Sequence, residues 1–183
     1  MPQRQHATRL GHRLIYQGRV FTVYLDRVQL PNGHVIDMDI VRHAGSVVLL
    51  PVPAAGRIIL IRQYRYTLDR WIWELPAGSR KHGEDPAVAA ARECEEEIGL
   101  APGRVERLGG YYPTPGFCDE EMIFFRCDDL RPPAHDSTAR PDADEEIEPH
   151  EMSVDEARAL IRSGEVIDLK TVAGLSLLEQ SEK

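Results

Sequence analysis

Cysteine is scarce in this chain: three residues in 183, Cys94, Cys118 and Cys127, an odd number without a C-x-x-C spacing. That argues against a disulfide-stapled secreted fold and against a zinc ribbon, and free thiols in a reducing cytoplasm are expected. Long apolar runs are missing too. A membrane span needs roughly 18 or more consecutive apolar residues. The longest run here, Val47 to Ala55, is broken by Pro51 and Pro53, so no membrane partner is expected. The N-terminal MPQRQHATRL has no apolar h-region, and no secretory leader is expected. Basic residues are in deficit, 22 Lys and Arg against 30 Asp and Glu, for a formal charge of −8. A phosphate-backbone binder shows a basic face, so nucleic acid is excluded as the main partner. Any polyanionic small substrate would require local cations. Internal repeats are absent, and the seven histidines form no metal-type cluster.

What is present suits one domain, or one domain with an appendage, long enough for a full core. Residues 19–30 (RVFTVYLDRVQL) and 34–43 (HVIDMDIVRH) flank the turn signal Pro31-Asn32-Gly33 and read as an antiparallel β-hairpin. Residues 46–52 and 57–64 are expected to pair around Pro53-Ala54-Ala55-Gly56. Val47 to Leu50 are apolar on both faces, which places that strand inside a sheet. Asp85 can cap a helix with Pro86 in its first turn and Gly99 just past its end. Strand candidates follow at 105–112 and 121–127, then a Pro-rich polar loop at 131–144. Ser153-Val154-Asp155-Glu156 is a capping box for a helix to about Ser163, and a last helix is expected over 169–180. Strands with interspersed helices indicate an α/β or α+β sandwich.

The acidic residues are not scattered. Glu93 and Glu97 lie one turn apart on one helix face, with Glu96 three residues from Glu93 and Glu95 beside it. Carboxylates at that spacing repel, and they oppose the helix macrodipole at its C-terminal end. A hard divalent cation would relieve both effects. The plain alternative is a solvated acidic face, which is what most charge runs are. Against it stands the order of the whole segment, G-x5-E-x7-R-E-U-x-E-E-x-G-U, where U is bulky and apolar. It is carried by Gly78, Glu84, Arg92, Glu93, Cys94, Glu96, Glu97, Gly99 and Leu100. Seven fixed letters at roughly 6% usage match a given register by chance on the order of once in 10⁸ to 10⁹.

That segment resembles the Nudix box, with Cys94 in a usually aliphatic slot that a small hydrophobe can fill. The resemblance implies an α/β/α sandwich with a mixed sheet, preceded by the N-terminal hairpin. It implies hydrolysis of a nucleoside diphosphate derivative with two or more Mg2+ (or Mn2+) ions. Glu93 and Glu97 are the implied principal metal ligands, with Glu96 either a further ligand or a support behind them. Arg92 would orient a glutamate, and Gly78 would admit a close backbone approach.

The flanking residues resemble the ADP-ribose pyrophosphatase branch: Arg62-Gln63-Tyr64-Arg65, then residues 70–78 (RWIWELPAG) and residues 113–120 (PTPGFCDE). Pro115 falls fifteen residues after Leu100, a spacing associated with that branch. The resemblance makes the Ala77 carbonyl a metal ligand and Arg65 a phosphate contact. It assigns Arg62, Glu74, Gly116, Phe117 and Glu120 to the substrate site. Arg62 and Arg65 could equally be surface residues beside a strand, and Trp71 and Trp73 are more often core than an adenine wall. Phe21 or Tyr24 could supply that wall instead. The branch carries its general base on a loop after the box, here Asp142-Ala143-Asp144-Glu145-Glu146-Ile147-Glu148. Glu145 is the first candidate and Glu146 the second, with Ala143 standing where some members have an acid. ADP-ribose, split to AMP and ribose 5-phosphate, is the implied substrate. Another sugar nucleotide such as GDP-mannose or ADP-glucose, or a non-catalytic ADP-ribose sensor, remains as an alternative. Residues 1–43 are expected to form a dimerising strand region and 44–183 the catalytic domain of a homodimer.

Overall fold

The structure is a computed structural model that describes residues 6–140 and 145–181. The chain divides into two compact units, one of Met1–Gly45 with Tyr112–Glu121 and one of Ser46–Tyr111 with Met122–Lys183. Among the described residues no helix is long and apolar enough to cross a membrane.

The first unit is a three-stranded antiparallel sheet in the order β1 (Thr8–Gln17), β2 (Phe21–Gln29), β3 (Val35–His43). β2 and β3 form the expected hairpin, closed by Leu30, whose carbonyl accepts from Gly33 N at 2.8 Å. β1 was not expected: its register against β2 shifts twice, which blurs the period-two signal. Residues 112–121 lie along the end of β3, where Val41 N donates to Phe117 O at 2.7 Å and Asp119 N to Val41 O at 3.2 Å.

The second unit holds the helices. β4 (Ser46–Pro51) lies between β7 (Ala77–Ser79) and β9 (Met122–Asp128), with β8 (Arg104–Tyr111) outside β9. The β4–β9 pairing is parallel and the rest antiparallel, so the sheet is mixed. β5 (Arg57–Arg65) pairs with β6 (Arg70–Glu74) and β10 (Ile147–Ser153) in a second sheet. The expected pairing of 46–52 with 57–64 is therefore corrected. A turn does form, with Arg57 N on Ala54 O at 3.0 Å, but it passes the chain from one sheet to the other. β4 is apolar on both faces, and only a central position covers both.

Its alternation shows this. Val47 and Leu49 pack with Ala89, Ala90, Cys94 and Ile98 of α1 (Pro86–Ile98). Val48 and Leu50 pack with Ala157 of α2 (Val154–Ser163) and with Leu175 and Leu178 of α3 (Leu169–Ser181). One helix covers one face and two helices the other, which makes an α/β/α sandwich. Deleting a side chain as buried as Leu49 costs about 2–5 kcal/mol in such a core.

Candidate active site

α1 carries the ordered acids, and its ends are set by local chemistry. The Asp85 carboxylate accepts from Ala87 N at 2.9 Å and Val88 N at 3.3 Å, and Gly99, at φ 71°, closes the last turn on Glu95 O. The buried face combines Ala89, Ala90, Cys94 and Ile98 with Glu93 and Glu97, which are only 8% and 4% exposed. Cys94 packs into the core beside Cys127, whose thiol pKa is pushed up by its hydrogen bond to Cys94 and by burial. Glu95 turns elsewhere and accepts from Ser137 Oγ at 2.8 Å, which ties the 131–140 segment to the helix.

Arg92 gathers three carboxylates. Its Nε and Nη2 bind the two oxygens of Glu84 at 2.9 and 3.0 Å, and its Nη1 binds Glu93 Oε1 at 2.7 Å and Glu96 Oε2 at 2.6 Å. Bidentate pairing of this kind is specific to a guanidinium. It fixes Glu93 from the side while the backbone approaches from above. A Cβ at Gly78 would overlap the Glu93 carboxyl group, so any side chain there displaces that carboxylate. Across from it, Ala77 N donates to Glu97 Oε2 at 3.0 Å.

Burial raises the Glu93 pKa to about 7 against the pull of Arg92, with the charges of Glu96 and Glu145 adding to the rise. Glu97 is raised well above the usual carboxylate range, first by burial and then by the charges of Glu93 and Glu145. Three carboxylates, Glu84, Glu93 and Glu96, thus gather around one guanidinium, while Glu97 and Glu145 act electrostatically on the same group of acids. Among the described residues no three Asp, Glu, His or Cys side chains form a ready-made cation cage. Mg2+ does not need one, because it commonly takes one or two carboxylates and completes its shell with waters and substrate phosphates. The hydrogen bonds to Arg92 and Ala77 use Glu93 Oε1 and Glu97 Oε2, leaving the other oxygen of each outside these bonds. Two buried carboxylates, disfavoured when charged and one helical turn apart, fit a hard divalent cation.

Glu145 is half-buried and precedes Ile147, which packs into the core under α1 and so delivers Glu145 to the helix acids. Glu146 is exposed, and its carbonyl accepts from Tyr64 N at 3.3 Å. Asp142, Ala143 and Asp144 lie outside the described residues.

Of the two arginines on β5, Arg65 binds Glu74 bidentately, with Nε on Oε1 and Nη2 on Oε2, both at 2.7 Å. Arg65 is also within Coulombic reach of Glu97. Arg62 lies an odd number of residues from Arg65 and projects from the other face of the strand. It stacks its guanidinium over Trp73 at 5.7 Å, and the structure does not bring it to the glutamates. Trp71 meets Tyr64 at 6.1 Å. In the unit of residues 1–45 and 112–121, Gly116 lies in the turn closed by Phe117 N and Cys118 N on Thr114 O. Phe117 is exposed there, and Glu120 lies 3.8 Å from His43 Nδ1.

The sequence reading missed three residues at the start of α3. Lys170 binds Glu74, and Asp168 and Thr171 bind each other and reach Lys170 and Leu75. Asp168 ahead of an apolar run carries a helix-capping signal, but nothing in the sequence marks Lys170 as buried.

The NUDIX domain family matches residues 41–173. The ADP-ribose pyrophosphatase of Bacillus subtilis (strain 168) is 36% identical over 168 residues, 92% of this chain and 90% of that protein. The methanol dehydrogenase activator of Bacillus methanolicus is also 36% identical, with the same coverage of both chains. A crystal structure of an ADP compounds hydrolase superposes with a TM-score of 0.83 at 20% identity, covering 98% of this chain and 96% of that one. It has the same fold.

Proposed function

This chain belongs to the NUDIX family, and on that premise we propose that it hydrolyses the pyrophosphate bond of ADP-ribose, giving AMP and ribose 5-phosphate with Mg2+ (or Mn2+). The observation that carries this reading is the pair Glu93 and Glu97. They are buried side by side, raised in pKa and locked by Arg92, Gly78 and the Ala77 N–H. That arrangement costs free energy unless a cation and a phosphate are its purpose. The name of the Bacillus subtilis relative specifies ADP-ribose.

Glu93, Glu97 and the Ala77 carbonyl hold the cation, with Glu96 as a further ligand. When bound, a divalent ion lowers the pKa of an attacking water and offsets charge on the phosphoryl oxygens. Arg92 aims the Glu93 and Glu96 carboxylates through its two Nη1 bonds. Arg65, oriented by Glu74, lends its remaining N–H donors to a diphosphate oxygen. Glu145 takes the proton from water, since its charge already acts on both helix glutamates. Gly116, Phe117 and Glu120 serve the sugar-nucleotide end. Arg62, spent on Trp73 here, is the weakest member of the substrate set.

The reading includes a homodimer joined through the N-terminal sheet. Leu10, Leu14, Ile15 and Tyr16 of β1 and Phe21 of β2 are each more than two-fifths exposed, an apolar load that a free sheet does not hide. Light scattering at micromolar concentration should give twice the chain mass, and a monomer refutes the dimer. A reducing cytoplasmic setting agrees with Cys94, Cys118 and Cys127 all being free thiols.

A panel of ADP-ribose, ADP-glucose and GDP-mannose, followed by phosphate release after phosphatase coupling, tests the substrate. ADP-ribose should have the highest kcat/KM. Preference for GDP-mannose moves the assignment to another sugar nucleotide, and binding of ADP-ribose without AMP formation makes the protein a sensor.

A further inference from the structure

α3 contributes to the active site without presenting a group to the substrate. Asp168 caps it, its Oδ2 accepting from Thr171 N at 3.0 Å and from Thr171 Oγ1 at 2.6 Å. Thr171 Oγ1 accepts in turn from the backbone N–H of Leu75 at 2.7 Å. Gly174, one turn on, lies so near Leu75 that a Cβ would overlap its side chain. The helix start is therefore seated on the Leu75-Pro76 connection between β6 and β7, which leads into Ala77, the residue whose N–H holds Glu97.

Lys170 is the charged member of this contact. It is 9% exposed, and its Nζ binds Glu74 Oε2 and lies 3.0 Å from Asp168 Oδ2. Glu74 is 1% exposed and receives both Arg65 bonds on its two oxygens. A buried ammonium is costly to desolvate and persists only where partners surround it. With Lys170 in place, Arg65, Lys170, Glu74 and Asp168 form a neutral group, and Glu74 is shared between two cations. Without it the group is negative, and Glu74 and Asp168 face Arg65 alone.

We propose that Lys170 is a positioning residue for the diphosphate site: from α3 it holds Glu74 in the orientation that aims Arg65, and it keeps Arg65 from being neutralised by buried carboxylates. The proposal rests on the diphosphate hydrolase reading above. Its consequence falls on substrate binding, because Arg65 grips the ground state and the transition state alike.

The test is steady-state kinetics on ADP-ribose at saturating Mg2+ for the full chain, Lys170→Met and Lys170→Arg, with folding checked by circular dichroism at the assay temperature. Lys170→Met should raise KM at least tenfold with kcat within threefold, and Lys170→Arg should return KM to within threefold of wild type. If Lys170→Met does not fold, Lys170→Gln, which keeps a donor to Glu74 without the charge, carries the same expectation. A folded neutral variant whose KM is unchanged, whatever its melting temperature, overturns the proposal, as does a loss confined to kcat. Wild-type protein inert toward ADP-ribose overturns the functional reading itself, and this proposal with it.

Discussion

Replacing Glu93 by Gln should make the metal-free protein more stable at alkaline pH, although it removes a residue of the active site. The Glu93 carboxyl has a pKa of about 7 in the fold, against about 4.3 in an unfolded chain. The folded protein therefore holds this proton more tightly, so stability is intact below the unfolded value and is lost as pH rises through the folded one. At pH 8 the loss is about 4 kcal/mol and at pH 5 about 1 kcal/mol, at 1.36 kcal/mol per pKa unit. Gln is isosteric, and its carbonyl oxygen can still accept from Arg92 Nη1, so most of this penalty should be relieved. For a chain of this size 1 kcal/mol is worth roughly 2–4 °C, which sets the shift at about 8–16 °C at pH 8. Thermal unfolding in EDTA at pH 5 and pH 8 measures it. Saturating Mg2+ should then reverse the order, because only the wild type recovers the penalty as cation binding. A Glu93→Gln protein less stable than wild type in EDTA at pH 8, or a gap that does not change with pH, refutes the electrostatic account of the pair.

Glu97→Gln should lower kcat by about 100-fold or more with the circular dichroism spectrum unchanged; near-normal turnover at saturating Mg2+ contradicts the metal assignment. Gly78→Ala should fold, since the cost falls on one side chain, yet displace the Glu93 carboxyl and lose about 100-fold in kcat; activity within a few-fold of wild type would show that Glu93 tolerates the displacement. Glu145→Gln should reduce kcat by about 10²–10⁴-fold, while Glu146→Gln stays near wild type. Normal rates in both variants place the base elsewhere.

α1 was legible before any coordinates because its signals are local: Asp85, Pro86 and Gly99 set its ends, and Glu93 and Glu97 share a face by helical period. The β2–β3 hairpin was legible through Pro31-Asn32-Gly33 for the same reason. β6, β7 and β10 were not. They are short, and β7 and β10 exist because distant strands pair with them, Val48 with Ala77 and Ile61 with Pro149. The partners of β4 and β5 depend on which faces are covered, a property of the assembled sandwich, so a turn signal alone suggested a hairpin there. Arg62 and Arg65 illustrate the limit at the site. Period two shows that they face opposite ways, but only the packed sheet shows that Arg65 joins Glu74 while Arg62 joins Trp73. Lys170 is legible only in three dimensions, because a lysine in a helix reads as solvated until its partners are seen.

The most direct test of the account is the product pattern from ADP-ribose, separated chromatographically after incubation with the protein in Mg2+ and in EDTA. The account predicts AMP and ribose 5-phosphate in equal amounts with Mg2+ and intact ADP-ribose in EDTA. Intact ADP-ribose in both Mg2+ and Mn2+, or equal cleavage in EDTA, contradicts it.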